Sequence, residues 1–503
     1  MTTSPSLQQQ TFRLQPEVIF DGSRLVDSLT GHQHSVNPLA LQVLWLDTEE
    51  GVDEAIAHVA REANVRRSEI EDELRQLLLL GLLEGSCTDA REQLRRLHRG
   101  EALSERVLPG SRLQCCGSGA CCRGWVFGPV SDREKAAIES LPLRERLPYV
   151  GEGPWFQPID DGERIQGYRL ATRGEACVFL DAQSRCGLHA AFGADAKPAF
   201  CQLFPIASIA TIDGLKVFDR GECASFAVSS RSGKLIEEHL PEVRHLLSQE
   251  LYHPRVILDG GWRCDYSLVL RLARVIDADI GSLAPQHALR RLGQRIRDFT
   301  RALIECPLAH GQPEFAVSRA LQLPLVEAGS ALAPDAESVQ RGLGAFADLA
   351  QMLASKAPAH ASFARCLASA AACAARRAST PCETSCDGPW QMANAPRVPT
   401  SVDFILTLSM RQQIFGHELL LSGSLPAGLL RLICVTVLSR LLAQSYAERD
   451  GCAEVTDVGL GVAHMQIKRA LSHLALRETL LAQSKCVWVI LDALVSVRPE
   501  PAQ

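Results

Sequence analysis

Hydrophobic and polar positions change their period along the chain. From Thr11 to Phe20 apolar residues partly alternate and stop at Asp21-Gly22, and from Leu25 to Pro38 a second run turns at Thr30-Gly31. That pattern predicts a short strand followed by a hairpin. Three helical segments come next. Leu39 to Leu46 is apolar, Val52 to Ala63 repeats Ile56, Val59, Ala60 and Ala63, and a third segment repeats Ile70, Leu74, Leu77 and Leu78 on one face. Ser68 with Glu71 three residues on has the spacing of a capping box that opens this third helix. Strands followed by three short helices predict a winged-helix-like module over residues 11–86, behind a flexible tail at 1–10.

Residues 87–112 carry six Arg and end at Pro109-Gly110, which reads as a helix and a linker. Residues 113–228 hold short apolar pieces, irregular Gly/Pro spacing and a concentration of Cys. This irregular metal-binding domain is expected to lean on ligands rather than on a large core. From residue 229 to 498 the chain reads as a helical domain, with periodic Leu/Ala-rich stretches at 267–275, 287–304, 338–354 and 400–446 and a biased Ala-rich segment at 360–378. The expected fold class is mainly α with α+β parts, ending in a C-terminal helical bundle.

Composition narrows the function. The 503 residues are 46% apolar and 22% charged, an ordinary globular balance that excludes disorder over most of the length. Formal net charge is -6, and residues 1–86 hold six Arg, no Lys and fourteen Asp or Glu. A surface for nucleic acid needs Lys and Arg to displace counterions, so an acidic module argues against a nucleic-acid partner. No run reaches the ~18 uninterrupted apolar residues of a membrane span; Arg431 and Arg440 interrupt the richest one. No membrane partner is expected. The first fifteen residues lack a basic stretch followed by an apolar one, and a cytoplasmic location is expected.

In a reducing compartment, clustered thiols point to metal ligands or catalysis rather than to disulfides. Eighteen Cys are present, eight of them between Cys115 and Cys223. The first knot, LQCCGSGACCRGW, holds Cys115, Cys116, Cys121 and Cys122. The second group is Cys177, Cys186, His189 and Cys201, and the last is Cys223. Small residues between thiolates let the backbone fold back and aim N–H groups at anionic sulfur. Cys186-x-x-His189 is a ligand-like spacing. Four thiolates suffice for zinc or for an iron–sulfur cluster, and spacing alone does not choose between them. The competing reading, buried free cysteines, suits any single Cys better than two vicinal pairs.

At these residues the chain resembles the YkgJ-type Cys-cluster family, described as zinc- or iron-chelating. The resemblance rests on Cys121-Cys122, on C-x-F-L from Cys177, on C-x-x-H from Cys186 and on K-P-x-x-C-x-x-F-P from Lys197. Gly124-Trp125 after the pair and a long helical C-terminal half are most similar to the flagellin lysine-N-methylase branch. That resemblance implies an iron–sulfur cluster, 4Fe-4S in type, and methyl transfer from S-adenosylmethionine to Lys side chains. The alternative is a non-catalytic zinc- or iron-chelating or structural metal protein. Cys115, Cys121, Cys122, Cys177, Cys186 and Cys201 are the expected ligands, with Cys116, His189 and Cys223 in support. The family places a further Cys between the first Cys and the closing pair, where residues 117–120 have none; Cys116 supplies that thiolate or the site is altered.

The N-terminal pattern RLQPEVIFDG, hairpin, NPLALQVLWLD and ELRQLLLLGLLEG resembles the PqqD-like peptide-recognition family. This implies capture of a peptide or protein substrate as an added strand on the hairpin edge, beside the third helix. Other signals weigh less. Asp457-Val-Gly-Leu-Gly looks like a cofactor-binding turn, but without a strand before it the simpler reading is a loop leading into a helix. Cys366 and Cys373 fit buried helix positions, Cys382 and Cys386 form one isolated pair, and Cys87, Cys264, Cys306, Cys434, Cys452 and Cys486 have no partner by spacing. His32 and His34 read as solvent-facing strand residues.

Overall fold

The computed structural model describes residues 12–322 and 401–471, apart from 116, 125–126, 161–164, 175, 282, 307, 309–312 and 422. The helix expected at 338–354, the Ala-rich stretch at 360–378, and Cys116, Trp125, Cys366, Cys373, Cys382, Cys386 and Cys486 therefore lie outside the described residues. The protein is mainly helical, with several small sheets.

Near the N-terminus, β1 (Val18–Phe20), β2 (Arg24–Asp27) and β3 (Gln33–Ser35) form an antiparallel meander in that order. The Asp21 carboxylate accepts the Ser23 and Arg24 N–H groups and fixes the first turn. Helices α1 (Pro38–Glu50), α2 (Val52–Ala63) and α3 (Arg67–Leu79) follow. Asn37 caps α1 by accepting the Leu39 N–H, and Pro38 presets its first turn. Ile56 and Val59 from α2 meet Ile70, Leu74 and Leu77 from α3 around Leu25 in a core of their own. The Ser68 capping box does not form. Helix α3 has its N-cap at Arg66, two residues earlier, and its first turn is held by Arg66–Glu69 at 2.8 Å, by Arg67–Glu71 at 2.6 Å and by an Arg67–Asp53 contact, so Ser68 has no cap to make. His32 and His34 are half-buried, not solvent-facing, and His34 Nε2 lies 3.4 Å from Glu73.

The Arg-rich stretch is helix α4 (Thr88–His98), and it braces the module. Buried Arg91 donates to both oxygens of Asp27, at 3.0 and 3.1 Å. Arg95 donates to Glu17 at 2.6 Å, and chiefly through that bond Glu17 is held down at about 2. Beyond α4, β4 (Glu105–Val107) and β5 (Arg112–Leu113) enter sheets with later strands.

The Cys-rich block comprises α5 (Asp132–Glu139), α6 (Leu143–Arg146), the hairpins β6 (Phe156–Asp160)/β7 (Ile165–Leu170) and β8 (Thr172–Arg173)/β9 (Ala176–Cys177), then α7 (Gly187–Phe192), α8 (Ala199–Leu203), β10 (Ile206–Thr211) and β11 (Gly214–Asp219). It has more core than its irregular sequence suggests: Phe127, Val130, Ile138, Phe156, Leu170, Phe179 and Leu188 pack together. β11 lies between β10 and the parallel β4. One face of this sheet meets the helical half, where Asp219 N–H donates to Gln412 at 3.2 Å.

The rest is α9 (Phe226–Ser232), β12 (Lys234–Leu235), α10 (Ile236–Val243), a short hairpin of β13 (Val256–Ile257) and β14 (Arg263–Cys264), then α11 (Tyr266–Ile280), α12 (Pro285–Ile304), α13 (Pro313–Gln322), α14 (Val402–Phe415), α15 (Leu425–Arg449) and α16 (Asp457–Leu471). The periodic stretch at 400–446 is thus two helices. His417 takes a left-handed conformation at φ 57° and Gly423 at φ 89°, which reverses the chain between them. Leu425–Glu448 is long and apolar enough to cross a membrane by length and composition, and 83% of its apolar window is buried within the fold. Asp457-Val-Gly-Leu-Gly is the first turn of α16 rather than a loop.

Candidate metal centre

The thiols are positioned by very short elements. Cys121 and Cys122 sit on the single 3-10 turn Ala120–Cys122, entered through Gly119 at φ 63°. A Cβ on Gly119 would lie 2.5 Å from the Ser184 carbonyl oxygen, so only glycine lets these two loops close together. Arg123 bridges to Ala176, which ties the first knot to the strand that carries Cys177. Leu180 bridges to Cys186, which precedes α7, and Cys201 lies on α8 behind Pro198. Cys223 precedes α9, its sulfur 2.9 Å from Ser225 Oγ.

The folded chain brings several of these side chains into one electrostatic neighbourhood. The Cys121 and Cys122 sulfurs are 3.8 Å apart, and this contact first, then burial, raises the Cys121 thiol far above the ordinary range. Burial pushes Cys177 up to about 12, with Cys186 and Cys121 adding to it. Cys201 is raised by burial and then by Cys177, Cys186 and Cys121. Cys223 is pushed up to about 12 by burial, and Cys121 again contributes. Cys121, Cys177, Cys201 and Cys223 are thus each made harder to ionise in part by a neighbouring sulfur, as expected where only a cation can stabilise several thiolates together.

Two cations face this set. Lys197 pulls Cys121 and Cys201 downward, and Arg469 does the same to Cys121. Arg469 reaches from α16 and is 6% exposed. Its Nη1 donates to the Arg123 carbonyl at 2.9 Å and its Nη2 to the Ala120 carbonyl at 3.0 Å, so one guanidinium clamps both ends of the Cys121-Cys122 turn. Burial lowers Arg469 to about 10, against the pull of Cys121, Glu222, Cys223 and Cys122.

The other expected ligands stand apart. Cys115 is exposed, its sulfur accepting the Gly117 N–H at 3.4 Å, and Cys116 is not described. His189 is exposed on α7. Among the described residues no group of three or more His, Cys, Asp and Glu forms a site that could hold a metal ion as the side chains stand. The donor chemistry of Cys121, Cys122, Cys177, Cys186 and Cys201, all sulfur, with Arg469 beside the vicinal pair and Lys197 acting on Cys121 and Cys201, nevertheless suits a thiophilic metal.

Sequence reasoning missed the buried polar layer behind the thiols. Lys468 donates to Glu418 at 2.8 Å, and Arg431 donates to its other oxygen at 3.2 Å. Lys216 Nζ lies 2.7 Å from His417 Nε2, and burial first, then Lys216, drives His417 down to about 3, so the ring accepts as a neutral group. Asp219 is 1% exposed; the Gly221 N–H donates to one oxygen at 2.7 Å, and the other has no hydrogen-bond partner. Burial raises its carboxyl to about 7, and its charge is felt at Cys223. These residues come from segments some 250 positions apart, and no local spacing in the sequence joins them.

No protein-family model matches the chain, and no curated protein or solved structure matches it.

Proposed function

We propose that the protein is a metal-cluster protein, iron–sulfur or zinc, that modifies a peptide or protein as a lysine-N-methylase-like methyltransferase using S-adenosylmethionine. The observation that carries the metal reading is that Cys122, Cys177, Cys186 and Cys201 pack in one cluster, with Cys121 beside Cys122 on the turn that Arg469 clamps. Those five residues would hold the metal, with Cys223 next in line. Bound there, an open metal position would supply a docking point for the amino and carboxylate groups of the methyl donor. Arg469 would keep the vicinal pair in place and offset the excess negative charge of the thiolates, and Lys197 would act from the other side. The attacking Lys amine must be neutral, which calls for desolvation or a neighbouring base. The catalytic part rests on the Cys-motif resemblance, and the peptide-binding part on the PqqD-like pattern of the N-terminal module.

A second reading, a purely structural metal clamp, is favoured by the Arg123–Ala176 bridge and by the close approach of Gly119 to Ser184, because the thiols sit where two irregular loops meet. Anaerobic purification with metal analysis and an absorbance spectrum tests the metal. A brown protein with broad sulfur-to-iron charge-transfer bands supports the cluster, a colourless zinc protein supports the clamp, and a protein with neither element refutes both. For catalysis, methyl incorporation into Lys peptides is compared between wild type and Cys121→Ser. Equal incorporation removes the thiols from the mechanism.

A further inference from the structure

At the end of the β10–β11 hairpin away from the thiols, α4, β4, the β10–β11 turn, α11 and α13 enclose a cleft of about 460 Å³. Gly214 borders it at one end of β11, and Asp219 closes the other end of that strand, about 17 Å away by strand rise. The cleft is thus separate from the Cys block, and its volume is that of a small-molecule site. Ala90, Ile212, Leu268 and Leu270, all buried, supply its apolar part.

Its charge is unbalanced at one corner. The Asp213 side chain, 6% exposed in the turn, lies 3.4 Å from Lys216 Nζ, 3.6 Å from Arg274 and 4.0 Å from Arg106. Three cations share one carboxylate, which leaves two positive charges in excess. The parallel pairing of β11 with β4 sets Arg106 directly beside Lys216, and like charges so placed repel. Lys216 registers this: burial first lowers its amine, Asp213 raises it, and Arg106 and Arg274 lower it again. Arg106 lies across Gly214, where a Cβ would stand 3.2 Å from its Cδ and Nε and 2.7 Å from the Ser104 carbonyl oxygen. At 3.6 and 4.0 Å the two arginines make no hydrogen bond to Asp213, so those donors are left for another acceptor.

The other carboxylates of the cleft do not cancel the excess. Glu101 accepts Arg96 Nε and Nη2 at 2.6 Å each. Burial raises the Glu314 carboxyl, and Arg271 draws it back, so these two offset each other. Asp89 stands in the first turn of α4, where the positive helix end answers it.

We propose that this cleft binds a small phosphate monoester of mononucleotide size, its phosphate held by Arg106 and Arg274 and its organic part set against Ile212, Leu268 and Leu270. A monoester carries about -1.5 to -2 at pH 7, which matches the excess, whereas a carboxylate would neutralise only half of it. Guanidinium forks suit phosphate oxygens by geometry as well as by charge. The site goes beyond the proposed function and does not depend on it.

Titration calorimetry on the full chain, purified anaerobically with its metal, compares AMP, adenosine, ribose 5-phosphate and orthophosphate. AMP should bind, ribose 5-phosphate should bind more weakly, and adenosine should not bind. AMP affinity should weaken with salt, and also below about pH 6 as the phosphate takes up a proton. Arg106→Ala and Arg274→Ala change side chains that are 51% and 62% exposed, so circular dichroism and metal content should stay those of wild type. Each should weaken AMP at least tenfold, with Arg274→Glu abolishing binding and Arg144→Ala, an exposed arginine outside the cleft, leaving it unchanged. Adenosine binding as AMP does, or AMP affinity unchanged in both Ala variants, overturns the proposal. So does the absence of AMP binding at millimolar concentration. Orthophosphate binding as tightly as AMP overturns the monoester and reassigns the corner to free phosphate.

Discussion

In the helical half, Glu418 lies between Lys468 and Arg431, all three less than a tenth exposed, and its carboxyl is held below the ordinary range although burial alone would raise it. In the Cys block, burial raises Cys177 and Cys201, the contact with Cys122 raises Cys121, and Cys186 and Cys121 push Cys177 and Cys201 further upward. One region carries its counter-ions within its own sequence. The other gathers groups of a single kind, whose ionised form needs positive charge beyond what Lys197 and Arg469 provide. The helical half should therefore hold together without any ligand, while the Cys block should depend on one.

The largest expected effect follows from that contrast. Stripping metal from anaerobically purified protein with a chelator, or replacing Cys121 by Ser, should open residues 113–228 to limited proteolysis while the α11–α16 region stays resistant, as read by mass spectrometry of the fragments. Uniform loss of protection across both regions, or no loss in either, would break the comparison. The counterpart in the helical half is Glu418→Ala. It leaves Lys468 and Arg431 buried together without their shared carboxylate, and breaking such a buried arrangement costs about 3–5 kcal/mol. Denaturant unfolding checks this, with metal content expected to remain that of wild type.

The difference between these two regions shows what the chain discloses locally. The N-terminal strands and helices were readable because turn residues at Asp21-Gly22 and Thr30-Gly31 and a 3.6-residue period at Ile70, Leu74 and Leu77 are local signals. The start of α3 was misread, since arginines at 66 and 67 hold its first turn through carboxylates and Ser68 plays no part. The thiol group was visible as spacing, yet spacing did not tell that His189 would face outward on α7 or that Cys115 would lie exposed. Arg469 and Glu418 were not legible at all. A charged residue near a helix end normally reads as surface, and only the pairing of distant segments buries it.

Asp219 lies between the two regions and offers a pH-dependent test. Burial raises its carboxyl from the ordinary 3.8 to about 7. Its contribution to stability is fully present below 3.8, where both folded and unfolded chains hold the proton, and it is lost as pH rises through about 7, where the folded chain must ionise a buried group. At about 1.36 kcal/mol per pH unit, the wild type should lose up to about 4 kcal/mol from this group between those limits. Asp219→Asn keeps an acceptor for the Gly221 N–H and removes the titration. Its stability relative to wild type should therefore climb from pH 5 to about pH 7 and level off beyond it in parallel denaturant series, and a constant difference across that range would show that Asp219 is already ionised by compensating cations such as Lys468.

The smallest effect probes the seam itself. Gly461, in the Asp457-Val-Gly-Leu-Gly segment, lies where α16 crosses the turn that carries Cys223: a Cβ there would lie 2.1 Å from the Ala224 carbonyl oxygen. At Gly459 the nearest atom is Thr456 Oγ1 at 3.2 Å, which accepts the Gly459 N–H at 3.1 Å and would have to yield only slightly. If these glycines serve packing, Gly461→Ala should force α16 away from α9 and cost about 1–3 kcal/mol. Gly459→Ala should stay within about 1 kcal/mol of wild type, because the helix gains what Ala offers over Gly. Arg469 rides on the same helix, so the displacement in Gly461→Ala should also loosen the Arg469 clamp on Cys121-Cys122 and lower metal retention under mild chelation, while Gly459→Ala retains metal as wild type does. Equal loss of metal in the two variants would place the coupling between helix and thiols somewhere other than this contact.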